Sequence, residues 1–209
     1  MDSRTRACNL RSPTSKPQVS TALRRWLVAD LEAARDRLTG GVLSAIPPDR
    51  MAETVDGGGV PPVYALWHMT RHHDVAINGV LRGRGQVVQD FTDHIGVSDQ
   101  LWRGLSEGAD HDLVAVLQPE AVADYAIATI NATIAWIRED APLDTLETVP
   151  DSPAVLTAMG TPEDDFDWLY DMWSGKPNQW FLSWEAHGHT VTHTGELVSL
   201  RNRMGLSPF

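Results

Sequence analysis

Cysteine is nearly absent from this chain, and Cys8 is its single representative. One thiol excludes an intramolecular disulfide, a thiolate metal cage and a CxxC redox pair. Lysine is scarce as well, present only as Lys16 and Lys176. No apolar run is long enough to cross a bilayer. The opening "MDSRTRACNLRSPTSKPQ" is basic, but no apolar segment follows it, so it does not read as a secretory signal. Arg24 and Arg25 precede "WLVADLEAA", where Asp30 and Glu32 interrupt the apolar stretch, and a twin-arginine signal is rejected. These absences predict a cytoplasmic protein with no membrane association. Positive charge is also in deficit: the net charge is −11 and the pI near 5.0. A surface of that sign repels phosphate backbones, so no nucleic-acid partner is expected.

What remains is ample for one folded domain. The chain has 209 residues, 42% hydrophobic and 22% charged, the balance of a globular protein with a sizeable core. Residues 1–18 are polar and carry Pro13 and Pro17, and they read as a flexible N-terminal arm. No repeat or linker divides residues 19–209, which form one domain.

Helical periodicity dominates that domain. A first helix is predicted from about Ser20 to Thr39, with Leu23, Leu27, Leu31, Ala34 and Leu38 as its apolar stripe and Gly40-Gly41 as its stop. A second opens at Pro61-Pro62 and runs to about Leu81, because proline is tolerated where first-turn amides lack partners anyway. "SDQLWRGL" reads as a short helix capped by Ser98. A third long helix follows Pro119, with Val122, Ala126, Ile130, Ile134 and Ile137 on one face. Residues 141–160 read as loop. Thr161 and Pro162 open another short helix, with acids beside its positive end. The last helix runs from near Asn178 to about Met204, with Gly205 as its stop. Four long amphipathic helices, little strand alternation and long connections predict an all-α four-helix bundle with additional short helices in the connections.

Histidine is where chemistry concentrates. "HGHTVTHTGEL" holds three of the eight histidines, and "WHMTRHHD" holds three more. At roughly 100° per residue, His189 and His193 share a face with Leu182, Ala186, Leu197, Leu200 and Met204, while His187 points away. Two imidazoles one turn apart in an apolar stripe suit chelation of one cation. Their four ring nitrogens otherwise need four partners within the core. The second helix offers a third ligand. His68 and His72 share a face there, and periodicity does not choose between them. His73 falls within the apolar arc, and Asp74 and Asn78 face away. Glu185 and Glu196 flank the metal face, where each can orient an imidazole, act as a base or supply a fourth ligand.

At these residues the chain resembles a family. "ALWHMTRHHDVAINGVLRG" and "HTVTHTGELVSLRNRMG" are similar to the motif segments of the DinB-like superfamily, which includes mycothiol-dependent maleylpyruvate isomerases. The resemblance spans roughly residues 20–206. It implies a divalent metal held between helices by three histidines, which map to His68, His189 and His193. The departures are Glu196 where glutamine is common, and the extra His72 and His73.

The resemblance further implies a thiol-dependent S-transferase or isomerase that uses the metal to activate a low-molecular-weight thiol toward an electrophile. Glu185 or His72 would carry the proton, and Arg71 or Arg201 would hold a carboxylate of the thiol. Zinc is the first choice of metal, with nickel or iron also suited to imidazoles. Trp67, Trp180 and Trp184 are candidates to line a substrate pocket, and a homodimer is expected. A metal-water hydrolase on the same site, or a non-catalytic metal-binding protein, are the alternatives.

Overall fold

Most of the predicted long helices form where the apolar stripes place them. The computed structural model of the chain describes residues 16–55 and 57–209, with side chains described from Ser20 onward. The first helix, α1, spans Lys16–Leu38, four residues ahead of the expected start. The rest of the expected arm, residues 1–15 with Cys8, lies outside the described residues. Val28, Leu31, Ala34 and Leu38 are buried. Gly40 and Gly41 do not end the helix. They are taken into a wider π-helical turn, Thr39–Leu43.

Helix α2 covers Pro62–Asp74 and continues as a π-helical stretch, Val75–Leu81. It is buried on every side, from Pro62 to Val80. This corrects the expectation that Asp74 and Asn78 face away from the core. Both are covered by the connection that follows the helix. There Asp74 accepts hydrogen bonds from the backbone amides of Val87 and Val88, from Tyr125 Oη and from Asn78 Nδ2. The connection holds two short helices, α3 (Thr92–Ile95) and α4 (His111–Val116), the latter capped by the Asp110 carboxylate. The helix expected at residues 98–105 does not form. Gln100 (φ 47°) and Gly104 (φ 89°) both sit in the left-handed region, which interrupts a right-handed helix.

Helix α5, Pro119–Glu139, buries its predicted stripe. The stretch expected to be loop at 141–160 contains α6, Ser152–Ala158, capped by Asp151. Helix α7 spans Asp167–Trp173, starting later than expected. Thr161 caps nothing, and Phe166 leaves helical geometry just ahead of it. The final helical run is α8 (Asn178–Trp180), a π-helical stretch Phe181–Gly188, and α9 (His189–Arg203).

Among the described residues the protein is all-helical, with one isolated bridge, Val55 to Gly58. Helix α2 packs on α5 and α9, and so does α1. All four contribute side chains to the main core. A second apolar cluster lies beneath α6 and α7, where Leu156, Leu169 and Trp173 meet Val75, Val80 and Phe181. The site is built where the middle of α2 faces the start of α9.

Candidate metal centre

Two helices bring the histidines together. From α2, His68 and His72 point toward α9, one turn apart. From α9, His189 and His193 point back. The His68 ring centre is 5.1 Å from that of His189 and 4.8 Å from that of His193, and the latter two are 4.4 Å apart. All of these rings are buried. His187 lies outside the cluster, beside Trp26 and Leu27.

Partners assign the tautomers. His68 Nδ1 sits 2.8 Å from the Gly104 carbonyl. A carbonyl only accepts, so Nδ1 carries the proton and Nε2 bears a lone pair. That Nε2 is buried without a hydrogen-bond partner. His193 Nδ1 donates to Glu196 Oε2 at 2.8 Å, which leaves its Nε2 as a lone pair as well. His193 Nε2 faces His189 Nε2 at 3.0 Å. A proton placed on His189 Nε2 leaves its Nδ1 as a buried lone pair, while a proton on Nδ1 sets two lone pairs against each other. Nδ1 has no partner in either case. Such unpaired nitrogens each cost about 1–3 kcal/mol. One cation bound through the Nε2 atoms of the three rings removes that cost at His68 and relieves the facing nitrogens of His189 and His193, so the residues present fit a divalent metal.

His72 is different. Its Nδ1 is 3.2 Å from Glu185 Oε2 and its Nε2 2.9 Å from the Leu105 carbonyl. Both nitrogens face acceptors, so both donate. Burial opposes the resulting charge, but the Glu185 carboxylate and the Leu105 carbonyl outweigh it and raise the His72 pKa. Glu185 is completely buried, and its other oxygen accepts from Trp173 Nε1 at 2.7 Å. The two residues expected to carry a proton thus form a closed pair behind His189, 4.6 Å from ring to ring. His68 and His189 are driven the other way. Burial, then the neighbouring imidazoles, push His68 down to about 2 and His189 well below its ordinary value. Both stay neutral and available as ligands.

Other expectations resolve simply. His73 is a satisfied core residue, bonded to Thr133 Oγ1 and Thr190 Oγ1. Arg71 does not hold a substrate carboxylate. It is fully buried and is used by Leu101 O, Asp74, Tyr125 and Gln86. Arg201 is buried too and bonds Gly41 O and Asn202. Trp67 is buried and donates to the Arg103 carbonyl. Trp180 packs on Phe181, and half-exposed Trp184 lies beside His189.

One group was missed in the sequence. Glu107 Oε1 lies 3.7 Å from His68 Nε2, and donor atoms of His68, Glu107, His189 and His193 all fall within 4.8 Å of one another. Glu107 sits in an aperiodic stretch, "SEGADHD", where no pattern distinguishes it from any surface acid. A narrow opening between Val60, Tyr64 and Glu196 reaches the cluster, with about 10 Å³ of free space, roughly one water molecule.

Fold and site together define an all-helical protein whose buried His/Glu cluster can bind a metal. A solved structure described as a conserved protein from Enterococcus faecalis shares the fold, with a TM-score of 0.59, 17% identity, and coverage of 92% of this chain and 99% of that one. At that identity the likeness is one of fold alone. No family model matches the chain, and no curated protein matches it.

Proposed function

We propose that this chain is a divalent-metal enzyme built on a DinB-like four-helix bundle, with the metal held by His68, His189 and His193 and a low-molecular-weight thiol as co-substrate. The observation that carries the metal reading is His68 Nε2, buried and partnerless, in a group with His189 and His193 whose donor atoms lie within 4.8 Å of one another. The thiol rests on the resemblance of the two histidine segments. A metal held by three neutral ligands is a strong Lewis acid and would lower the pKa of a thiol or water bound to it. The chain's own residues do the rest. Glu196 holds the His193 ring by its Nδ1 proton, and the Gly104 carbonyl holds His68 in the same way. His72, protonated on both nitrogens against Glu185, keeps a proton beside His189. Zinc is the metal proposed first.

The narrow opening favours a second reading, a metal-binding protein without catalysis, because a thiol has no room there unless Glu107 moves. The test has two stages. Protein purified without added metal is analysed for metal content beside His68→Ala and His193→Ala. About one ion per wild-type chain and little in either variant is expected; equal trace amounts in all three would end the metal reading. Metal-loaded protein is then incubated with a panel of small thiols and an electrophilic probe. Thiol consumption above that of the histidine variants supports the enzyme, and none supports the closed metal protein.

A further inference from the structure

The geometry points to Glu107 as a fourth protein ligand, which closes the metal centre from its solvent side and gives way to an incoming anion. This rests on the three-histidine metal reading. Glu107 Oε1 and His68 Nε2 are 3.7 Å apart, too far for a hydrogen bond. Two donors about 2.0–2.2 Å from one zinc ion at a tetrahedral angle lie roughly 3.3–3.6 Å apart, so the observed gap is close to the spacing of two ligands on one ion. Among the described residues no hydrogen-bond donor meets the Glu107 carboxylate. It points toward the cluster although 73% of its side chain is exposed.

The backbone beneath Glu107 is fixed. The carbonyls of Leu101, Arg103, Gly104, Leu105 and Ser106 accept in turn from Arg71, Trp67, His68, His72 and Tyr64, all side chains of α2. Five bonds from one buried helix lace this segment along its length, and Glu107 is the next residue. The same segment orients His68 and presents the carboxylate. Charge supports the assignment too. Three neutral imidazoles leave a divalent ion with both its charges in a buried site, and one carboxylate halves them. Because the side chain is mostly in water, it can leave the ion without exposing core. The ligand that replaces it would be a small anion, such as a thiolate.

Glu107→Gln tests this with zinc by chelator competition and with cobalt(II) by its visible absorption. A ligand role predicts zinc affinity lower by at least roughly 10- to 100-fold, the loss that follows removal of even an outer-sphere partner. It also predicts a changed cobalt band pattern, which the loss of a nearby charge alone would not give. Melting of the metal-free variant should match wild type, because the side chain is exposed. Unchanged zinc affinity and an unchanged cobalt spectrum would overturn the assignment while leaving the three histidines in place. A wild-type chain that binds neither ion would overturn both readings.

Discussion

His73 offers a measurement that tests how the core treats an imidazole with no metal role. The ring is 1% exposed and bonded to two threonine hydroxyls. Burial lowers its pKa to about 4, with Asp74 opposing only in part. The ordinary value is 6.5, so the unfolded chain takes up the proton first as pH falls. His73 therefore leaves stability untouched above about pH 7. It removes stability as pH drops from about 6.5 toward 4, and adds no further loss below that. At about 1.4 kcal/mol per pH unit, the full separation is worth about 3 kcal/mol, of which about 2 kcal/mol accrues between pH 7.5 and pH 5. Urea unfolding at those two pH values, with chelator present, compares wild type with His73→Gln. The variant is expected to be less stable at pH 7.5, because it repacks a buried position. Its loss on going to pH 5 should nevertheless be about 2 kcal/mol smaller than that of wild type. Equal losses in the two proteins would refute the reasoning, since the acid sensitivity would then lie elsewhere.

Three further outcomes follow from the same packing. Glu196→Gln weakens the acceptor that holds His193 Nδ1, so metal affinity should fall by roughly 10- to 100-fold in chelator competition, with little change in melting of the metal-free protein. Gly104→Ala places a Cβ at φ 89° and 2.3 Å from the Trp67 ring. A cost of about 1–3 kcal/mol from the backbone alone is expected in urea unfolding, and more if Trp67 must shift; an unperturbed variant would mean that the segment is not fixed as described. His189→Leu should abolish tight metal binding yet leave metal-free protein within about 1 kcal/mol of wild type, because it removes a partnerless buried nitrogen. A loss well above that would identify the His189–His193 contact as a structural hydrogen bond.

The helices were legible because each buries a stripe, and a stripe has a period. Val122 to Ile137 and Leu182 to Leu200 were placed by spacing alone, as were His189 and His193. What spacing does not carry is what covers a helix from outside. Asp74 and Asn78 stand opposite the apolar arc, as polar residues on a solvated face would, yet the segment after α2 folds over them. The choice between His68 and His72 turns on the same segment. Both rings occupy one face, and both are anchored by neighbouring carbonyls, Gly104 and Leu105. His72 has a second acceptor in Glu185, whereas His68 has none. Glu185 was placed on a flank, but nothing in the periodicity of the final helical run indicates that Trp173 of α7 covers it. Loops that wrap a helix leave no repeat in sequence, and Glu107 was missed for that reason.

Helix α2 also shows why the unpaired atoms carry weight. It buries seven polar or charged residues between His68 and Asn78, an arrangement that is costly unless every group is paired. Nearly all of them are. Arg71 and Asp74 share a network with Tyr125 and Asn78, Thr70 bonds its own helix, His73 meets two hydroxyls, and His72 meets a carboxylate and a carbonyl. Only His68 Nε2 is left over on this helix, and the His68 ring lies 5.1 Å from that of His189. Elsewhere among the described residues, the buried atoms without partners are two threonine hydroxyls and one nitrogen of Arg82, whose guanidinium bonds Asn78 through another nitrogen. A fold that satisfies so dense a polar helix, and then leaves His68 Nε2 unpaired in a group with His189 and His193 whose donor atoms lie within 4.8 Å of one another, has placed that omission where a cation would satisfy it.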